Sequence, residues 1–361
     1  NENQTIHKSD DNLTIYGWNE KLNQLKQESI YSALAHGRVS IVHRTCYEVI
    51  SGNGLFQCEL TGNMMYGKSD DELPCTGDWV IFQPFDEHKG IIVDSLPRER
   101  TLYRKKSGTV ADKQAIASYV DKAFIVQSLD DNFNVRRVER FMVQIMEENI
   151  SSVLVLNKAD LDFDRQSVEE QIKHISSQIP VFFTSIHQLE TIVRLRKSIS
   201  EGETVVFVGS SGVGKSSLVN ALCEKPVLLT SDISLSTGKG RHTSTRREMV
   251  LMDSSGVLID TPGVREFGLA IDNPDSLAEV LEISDYAELC RFKDCKHINE
   301  PGCAVIEAVN SGALDSKVYE SYLKLRREAW HFSASEHEKR KKEKSFTKLV
   351  EEVKNRKDAN R

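Results

Sequence analysis

No apolar run in this chain approaches the ~18 residues that a membrane span needs, so it is expected not to cross a membrane. The polar opening, residues 1–11, lacks the apolar stretch of a signal peptide. Proline is scarce, at 8 residues, and 20 glycines are too few for a collagen-like or low-complexity architecture. Positive charge is not in excess either. The formal net charge is −7, so the chain is no wholesale nucleic-acid wrapper, and contact with RNA or DNA must come from local basic patches. Seven cysteines without a secretory segment read as reduced thiols or metal ligands rather than disulfides, which fits a cytoplasmic protein. With 361 residues, 39% of them hydrophobic, the chain can bury two or three separate cores.

Those cores are legible in turn. Leu13, Tyr16, Trp18, Leu22 and Leu25 predict one short amphipathic helix within an N-terminal extension, residues 1–34. From Gly37 the texture changes to short β-type runs at 39–42, 46–50, 55–60, 79–82 and 91–93. Turn signals such as Ser51-Gly52-Asn53-Gly54 and Cys75-Thr76-Gly77-Asp78 separate them. Five strands at this spacing predict an OB-type β-barrel over 35–106, with an SH3-like barrel as the alternative. Beyond Arg100, continuous apolar runs at 123–126, 153–156, 181–183, 205–208 and 257–259 read as parallel strands covered on both faces. Helical stretches at 136–148 and 168–177 lie between them, so 107–275 is expected to be a doubly wound α/β domain. Residues 276–361 hold a Cys/His cluster followed by a charged tail, and are expected to be mainly helical.

Chemistry enters at Gly209-Ser210-Ser211-Gly212-Val213-Gly214-Lys215-Ser216, preceded by the strand 204–208 and followed by the helical pattern from Ser217. This is strand, G-x-x-x-x-G-K-S, helix. Its glycines let successive backbone N–H groups turn inward around a phosphate, and the helix start adds the positive end of its dipole. Lys215 reaches the β and γ phosphates as a catalytic cation, and the Ser216 hydroxyl is placed to ligate Mg²⁺.

The base is chosen elsewhere, at Asn157-Lys158-Ala159-Asp160, which follows the strand 153–156. An N-K-x-D carboxylate accepts from guanine N1–H and N2–H₂ together, and adenine lacks that donor pair. Ser185, at the end of the strand 181–183, backs the base. Asp260-Thr261-Pro262-Gly263 follows another strand; Asp260 is expected to hold Mg²⁺ through water and the Gly263 N–H to meet the γ-phosphate. Between these motifs lies Gly240-Arg241-His242-Thr243-Ser244-Thr245. Thr243 or Thr245 would complete the Mg²⁺ shell only with the γ-phosphate present, as a switch loop does. Val264 stands where a Ras-type enzyme has its water-orienting Gln, which leaves His242 as the candidate for that task; a loop histidine touching rRNA or solvent is the alternative.

In ordinary GTPases the P-loop precedes N-K-x-D. Here the order is N-K-x-D, P-loop, D-x-x-G, a circular permutation that leads the switch segment straight into the C-terminal region. On these motifs, together with Gly77-Asp78-Trp79-Val80, Leu96-Pro97-Arg98, Gly240-Arg241-His242-Thr243 and the run from Val264 to Leu269, the chain resembles the RsgA (YjeQ) family over residues 35–335. Departures are small: Ser118-Tyr119 stands where the family usually has Ala-Asn, and Ser244 where it has Thr. The resemblance implies a multidomain protein with an OB-type barrel, a circularly permuted α/β P-loop GTPase domain and a mainly helical zinc-binding domain. It further implies GTP hydrolysis stimulated by the small ribosomal subunit, a role in late maturation of that particle, and contacts to its rRNA; a monomer that exchanges GTP for GDP is expected.

Cys290-x₄-Cys295-x-His297-x₅-Cys303 sets three thiols and an imidazole in one short segment, the donor set of a closed structural Zn²⁺ site. Buried free thiols with one loop histidine are the alternative. The tail from Glu338 carries Lys339, Arg340, Lys341, Lys342, Lys344 and Lys348 with an apolar stripe of Phe346, Leu349, Val350 and Val353; it reads as an rRNA-contacting helix or as a solvated one docked by that stripe. Arg98, Arg100, Arg104, Lys105 and Lys106 form a second basic patch. Two rival functions remain at this level: a GTP-gated RNA-binding module with incidental hydrolysis, and a P-loop ATPase whose N-K-x-D is accidental.

Overall fold

A computed structural model describes residues 12–69, 71–105, 113–224, 248–252, 256–260 and 274–333. Two compact units divide the chain: residues 1–104 with 113–268, and residues 105–112 with 269–361.

The first unit begins with helix α1 (Glu20–Glu28), whose start is capped by the Asn19 side chain accepting from Leu22 N. Five strands follow: β1 (Ala35–Val42), β2 (Tyr47–Ser51), β3 (Gly54–Leu60), β4 (Trp79–Asp86) and β5 (Lys89–Ser95). Their order is β1-β2-β3-β5-β4, closed by an antiparallel β1–β4 pairing. The β3–β5 contact is parallel, which requires a crossover. That crossover contains α2 (Gly62–Gly67), capped by Thr61. An SH3-like meander has no such parallel pair, so the barrel is OB-type. Val39, Val49, Phe56, Cys58, Val80, Phe82 and Ile92 fill it.

The N-terminal extension covers one side of the barrel. Leu13, Trp18 and Leu22 bury against Trp79, Ile81, Leu96 and Tyr119, with the Trp18 and Trp79 rings 4.8 Å apart. His36 of β1 lies against Trp18 at 4.1 Å and is 8% exposed. Burial first, and Lys26 second, lower its pKa from 6.5 to about 4. Between those values the unfolded chain binds a proton that the folded chain refuses. Stability is therefore complete above pH 6.5 and declines as pH falls toward 4. Relative to wild type, His36→Phe is expected to abolish about 2 kcal/mol of the stability lost between roughly pH 7.5 and 5, read from urea midpoints by tryptophan fluorescence. Parallel pH profiles for the two proteins would refute this.

The same unit continues with a separate two-stranded sheet of β6 (Leu102–Lys105) and β7 (Lys113–Ala117), then β8 (Lys122–Ser128), α3 (Val135–Glu147) and β9 (Ser151–Asn157). Next come α4 (Arg165–Gln171), α5 (Lys173–Ser176), β10 (Val181–Thr184), α6 (Leu189–Arg196), β11 (Thr204–Val208), α7 (Lys215–Leu222), β12 (Glu248–Leu251) and β13 (Val257–Asp260). The helical stretch expected at 168–177 starts earlier and breaks at Ile172 into α4 and α5. The sheet order is β10-β9-β8-β11-β13-β12, parallel except for β12. β11 is buried along its whole length, because helices cover both faces. Phe124, Val126, Val153, Val155, Val205 and Phe207 pack on Leu218, Val219 and Leu222 of α7 on one face. Val138, Phe141, Met142 and Ile145 of α3 are buried on the other.

Barrel and sheet are joined. Ile41 of β1 pairs with Glu248 of β12, so the strands run on from one to the other. Arg38, 1% exposed, donates to Gly77 O at 3.0 Å, to Thr204 Oγ1 at 2.8 Å, to Tyr119 O at 3.4 Å and to Tyr16 O. Burial lowers its guanidinium to about 10, with Asp121, Tyr119 and Asp78 opposing, so it stays charged. One side chain thus ties the extension and the barrel to the first residue of β11.

The second unit contains α8 (Pro274–Val280), α9 (Ser284–Ala287), α10 (Ala304–Ser311) and α11 (Ser316–Ser333), with Leu277, Leu281, Val305, Leu314, Tyr322 and Leu325 buried. Among the described residues no helix is long and apolar enough to cross a membrane.

Candidate functional site

The chain runs outward from β8 to β9 and β10, then returns to place β11 on the far side of β8. Loops leaving the carboxyl ends of β8 and β11 therefore diverge, and the crevice between them is where open α/β sheets bind ligands. The described nucleotide-motif loops, which follow β9, β10 and β11, emerge at this edge.

The phosphate-binding loop leaves β11 at Gly209. Its glycines adopt φ of 153° (Gly209), 84° (Gly212) and 91° (Gly214), a region closed to most side chains. A Cβ on Gly209 would sit 2.4 Å from Val126 O, and one on Gly214 2.4 Å from Asn157 Nδ2. Val213 is fully buried and anchors the loop in the core. Lys215 opens α7 and folds over the loop, donating to Gly209 O and Ser210 O at 2.7 Å each. Ser216 and Ser217 follow in the first turn.

Asn157, the last residue of β9, is 3% exposed and joins the two motifs. Its Nδ2 donates to Val213 O at 2.9 Å, while its Oδ1 accepts from Thr184 Oγ1 at 3.2 Å. Lys158 follows in the left-handed region, φ 62°, and Ala159 N donates to Thr184 O at 3.0 Å. Asp160 is exposed; its carboxylate accepts from Ser185 Oγ, and that hydrogen bond holds it below the usual carboxylate range. Ser185 is itself fully buried and braced by Thr191 Oγ1, 3.0 Å from its N. The structure thus brings Asn157, Lys158, Ala159, Asp160, Ser185 and residues 209–217 to one crevice.

Two residues here carried no motif signal. Asp130, after β8, accepts from Lys158 Nζ at 2.8 Å and from Ser128 Oγ at 2.6 Å. Burial alone would raise its carboxyl; those hydrogen bonds outweigh it and bring the pKa down to about 2. Arg137 of α3 donates to Ser210 Oγ at 3.0 Å. Asp260 ends β13, but its side chain, and Gly263, His242, Thr243 and Thr245, lie outside the described residues, as does the basic tail.

In the second unit, the donor atoms of Cys290, Cys295, His297 and Cys303 all lie within 4.8 Å of one another. Cys290 Sγ and Cys303 Sγ are 3.9 Å apart and lie 3.5 and 3.4 Å from His297 Nδ1. A tetrahedral ion with ~2.3 Å sulfur bonds sets its sulfurs about 3.8 Å apart, so the group can hold a metal ion. Outer contacts fix the loop: Tyr319 OH donates to His297 O at 2.6 Å, and the Glu300 carboxylate accepts from Ile298 N at 2.9 Å and Asn299 N at 3.1 Å. Those backbone donors, Ile298 first, hold the Glu300 carboxyl down at about 2.

The basic patch beside the barrel needs correction. Arg98 pairs with buried Asp78 at 2.7 Å, Arg100 with Asp121 at 3.1 Å, and Arg104 donates to Gln114 Oε1 at 2.8 Å. Two of its five charges are thus paired with carboxylates inside the first unit, and Arg104 is held by a neutral amide. The side chain of Lys105, and all of Lys106, lie outside the described residues.

A closed barrel joined to a parallel P-loop sheet, with N-K-x-D preceding G-x-x-x-x-G-K-S in the chain yet bonded to it in space, defines the class of circularly permuted GTPases. A family model described as RsgA GTPase matches residues 95–270. Small ribosomal subunit biogenesis GTPase RsgA 1 of Bacteroides thetaiotaomicron is 78% identical over 346 residues, covering 96% of this chain and 98% of that protein. The chain belongs to the RsgA GTPase family, and it is a GTP-hydrolysing enzyme. The crystal structure of YjeQ from Thermotoga maritima is similar with a TM-score of 0.65 and 26% identity, over 82% of this chain and 98% of that one. The fold is also that of YloQ, described as a circularly permuted GTPase, with a TM-score of 0.62 and 21% identity over 85% of this chain and 99% of that one. An ABC transporter model matches residues 192–358, a span that contains the P-loop but not Asn157–Asp160.

Proposed function

We propose that this GTPase acts on the small ribosomal subunit in the late steps of its maturation, and that the particle switches on its hydrolysis of GTP. The hydrogen bond from Asn157 Nδ2 to Val213 O carries the GTP assignment, because it sets a base-reading carboxylate and a phosphate cradle at opposite ends of one crevice. The names borne by its relatives support the choice of particle.

In this reading Asp160 accepts from guanine N1–H and N2–H₂, Ser185 aims that carboxylate, and the Lys158 stem covers the ring. Backbone N–H groups from Gly209 to Ser217 surround the phosphates, and Lys215 neutralises charge developing on them. The Ser216 hydroxyl, with Asp260 and Thr243 or Thr245, would hold Mg²⁺, which supplies further positive charge at the β and γ phosphates. Gly263 meets the γ-phosphate and His242 orients the attacking water. Zn²⁺ occupies the Cys290, Cys295, His297 and Cys303 site as a structural ion. Contacts to rRNA come from the barrel, the zinc-bearing region and the basic tail, and the protein works as a monomer.

GTP turnover measured with and without purified small subunits tests this. Stimulation of roughly tenfold or more is expected, equivalent to about 1.4 kcal/mol of barrier. An unchanged rate would overturn it, and nucleotide-dependent retention without stimulation would favour a GTP-gated binding module instead.

A further inference from the structure

The segment from Ser128 to Arg137 touches both ends of the nucleotide crevice, and no motif accounts for it. At the β8 end Leu129 N donates to Asn157 O at 2.9 Å, and the Asp130 carboxylate takes Lys158 Nζ at 2.8 Å. At the α3 end Arg137 Nη1 donates to Ser210 Oγ at 3.0 Å. The segment between is internally braced. Asp130 Oδ1 accepts from Ser128 Oγ at 2.6 Å and from Asn132 N at 3.0 Å, and Phe133 N donates to Asp130 O at 2.9 Å. Arg137 Nη1 also donates to Asn132 O at 3.3 Å, and Arg137 N to the Asn134 cap at 3.2 Å. A continuous chain of hydrogen bonds therefore runs from the N-K-x-D lysine to the second residue of the P-loop.

We propose that the β8–α3 loop is a positioning element of the GTP site, in which Asp130 holds Lys158 in place for the purine and Arg137 holds the P-loop in place for the phosphates. This rests on the GTP-site reading above. A lysine stem that must lie flat over a base loses rotamer freedom on binding, and an anchored ammonium has lost it already. Any purine profits equally, so Asp130 governs affinity while Asp160 governs base choice. Arg137 brings a positive charge to the loop from a different element, which a triphosphate feels more strongly than a diphosphate. Because one braced loop carries both anchors, releasing either end blunts the effect of the other.

Steady-state hydrolysis and equilibrium binding of fluorescent GTP and GDP analogues to the full chain test this with Asp130→Asn, Arg137→Gln and the double variant. Each single change is expected to raise KM for GTP about tenfold with kcat falling less than twofold. Asp130→Asn should weaken GTP and GDP alike, and Arg137→Gln should weaken GTP more than GDP, with Arg137→Lys restoring part of the loss. The double variant should lose clearly less than the product of the single losses. A KM within twofold of wild type for either single change, or losses that simply multiply, overturns the proposal. So does a fall in the thermal midpoint of the nucleotide-free protein large enough to explain the KM, since that marks a merely structural role. Wild type binding ATP as well as GTP in the same titrations would remove the GTP-site reading, and the loop's role with it, independently of any variant.

Discussion

Replacing Asp160 by Asn is expected to weaken GTP binding by roughly a hundredfold or more, and to let xanthosine triphosphate bind better than GTP. The wild-type carboxylate offers acceptors to two guanine donors, N1–H and N2–H₂. The asparagine amide turns one acceptor into an NH₂, which then faces a donor of the base. Xanthine carries a carbonyl at that ring position, so the amide suits it. Loss of a charge-assisted bidentate pair, with a donor left opposing a donor, is worth about 3 kcal/mol, a factor of about 150. Ser185 makes the effect clean, because its hydroxyl bonds Oδ1 and equally suits an asparagine oxygen. Fluorescent-analogue titrations with guanosine, xanthosine and adenosine triphosphates measure it. Unchanged selection among the three bases would dismiss Asp160 as the base reader.

Losing the metal should be as severe for the second unit. Its described helices are short apart from α11, and residues 288–303 have no helix or strand of their own. Besides the four donors, its ties are two tethers from α11, Tyr319 to His297 O and Arg326 to Lys296 O, the Glu300 carboxylate on Ile298 N and Asn299 N, and local backbone bonds such as Arg291 N to Gly302 O. Apparent free energies of structural Zn²⁺ binding are on the order of 10–16 kcal/mol near neutral pH, as large as the whole net stability of a typical domain, about 5–15 kcal/mol. The purified protein is expected to carry about one zinc per chain, and Cys290→Ser to carry almost none. Chelation should open residues 288–303 to proteolysis. Burial pushes the Cys303 thiol up to about 11, with Cys295 and Cys290 adding to it, so protons compete with the ion and metal affinity should fall as pH is lowered. A zinc-free protein whose segment stays protease-resistant would contradict the site.

Several parts of this protein were readable from residue order and several were not. Thr61-Gly62-Asn63 has the composition of a turn, yet it starts α2, because Thr61 caps it; a six-residue helix leaves too little periodicity to detect. β12 is only four residues long, and an antiparallel neighbour, β13, holds it in register, so its own sequence says little. Asp130 and Arg137 look like ordinary loop and helix residues, and only their partners, Lys158 and Ser210, reveal them. The arginines at 98 and 100 misled for the opposite reason. Read in a row they suggest an exposed patch, yet their carboxylate partners Asp78 and Asp121 stand about 20 residues away in each direction.

What residue order determined was local stereochemistry and donor chemistry. Glycines that permit a phosphate cradle, the permuted succession of the nucleotide motifs, and three thiols spaced with one imidazole are properties of neighbours in the chain. Tertiary structure alone decided which barrel the five strands close, which arginines pair with carboxylates, and what restrains Lys158. Each of those outcomes depends on pairing between residues far apart in sequence, and a parallel β3–β5 contact or a buried Arg38 bridging four segments has no signature until the chain has folded.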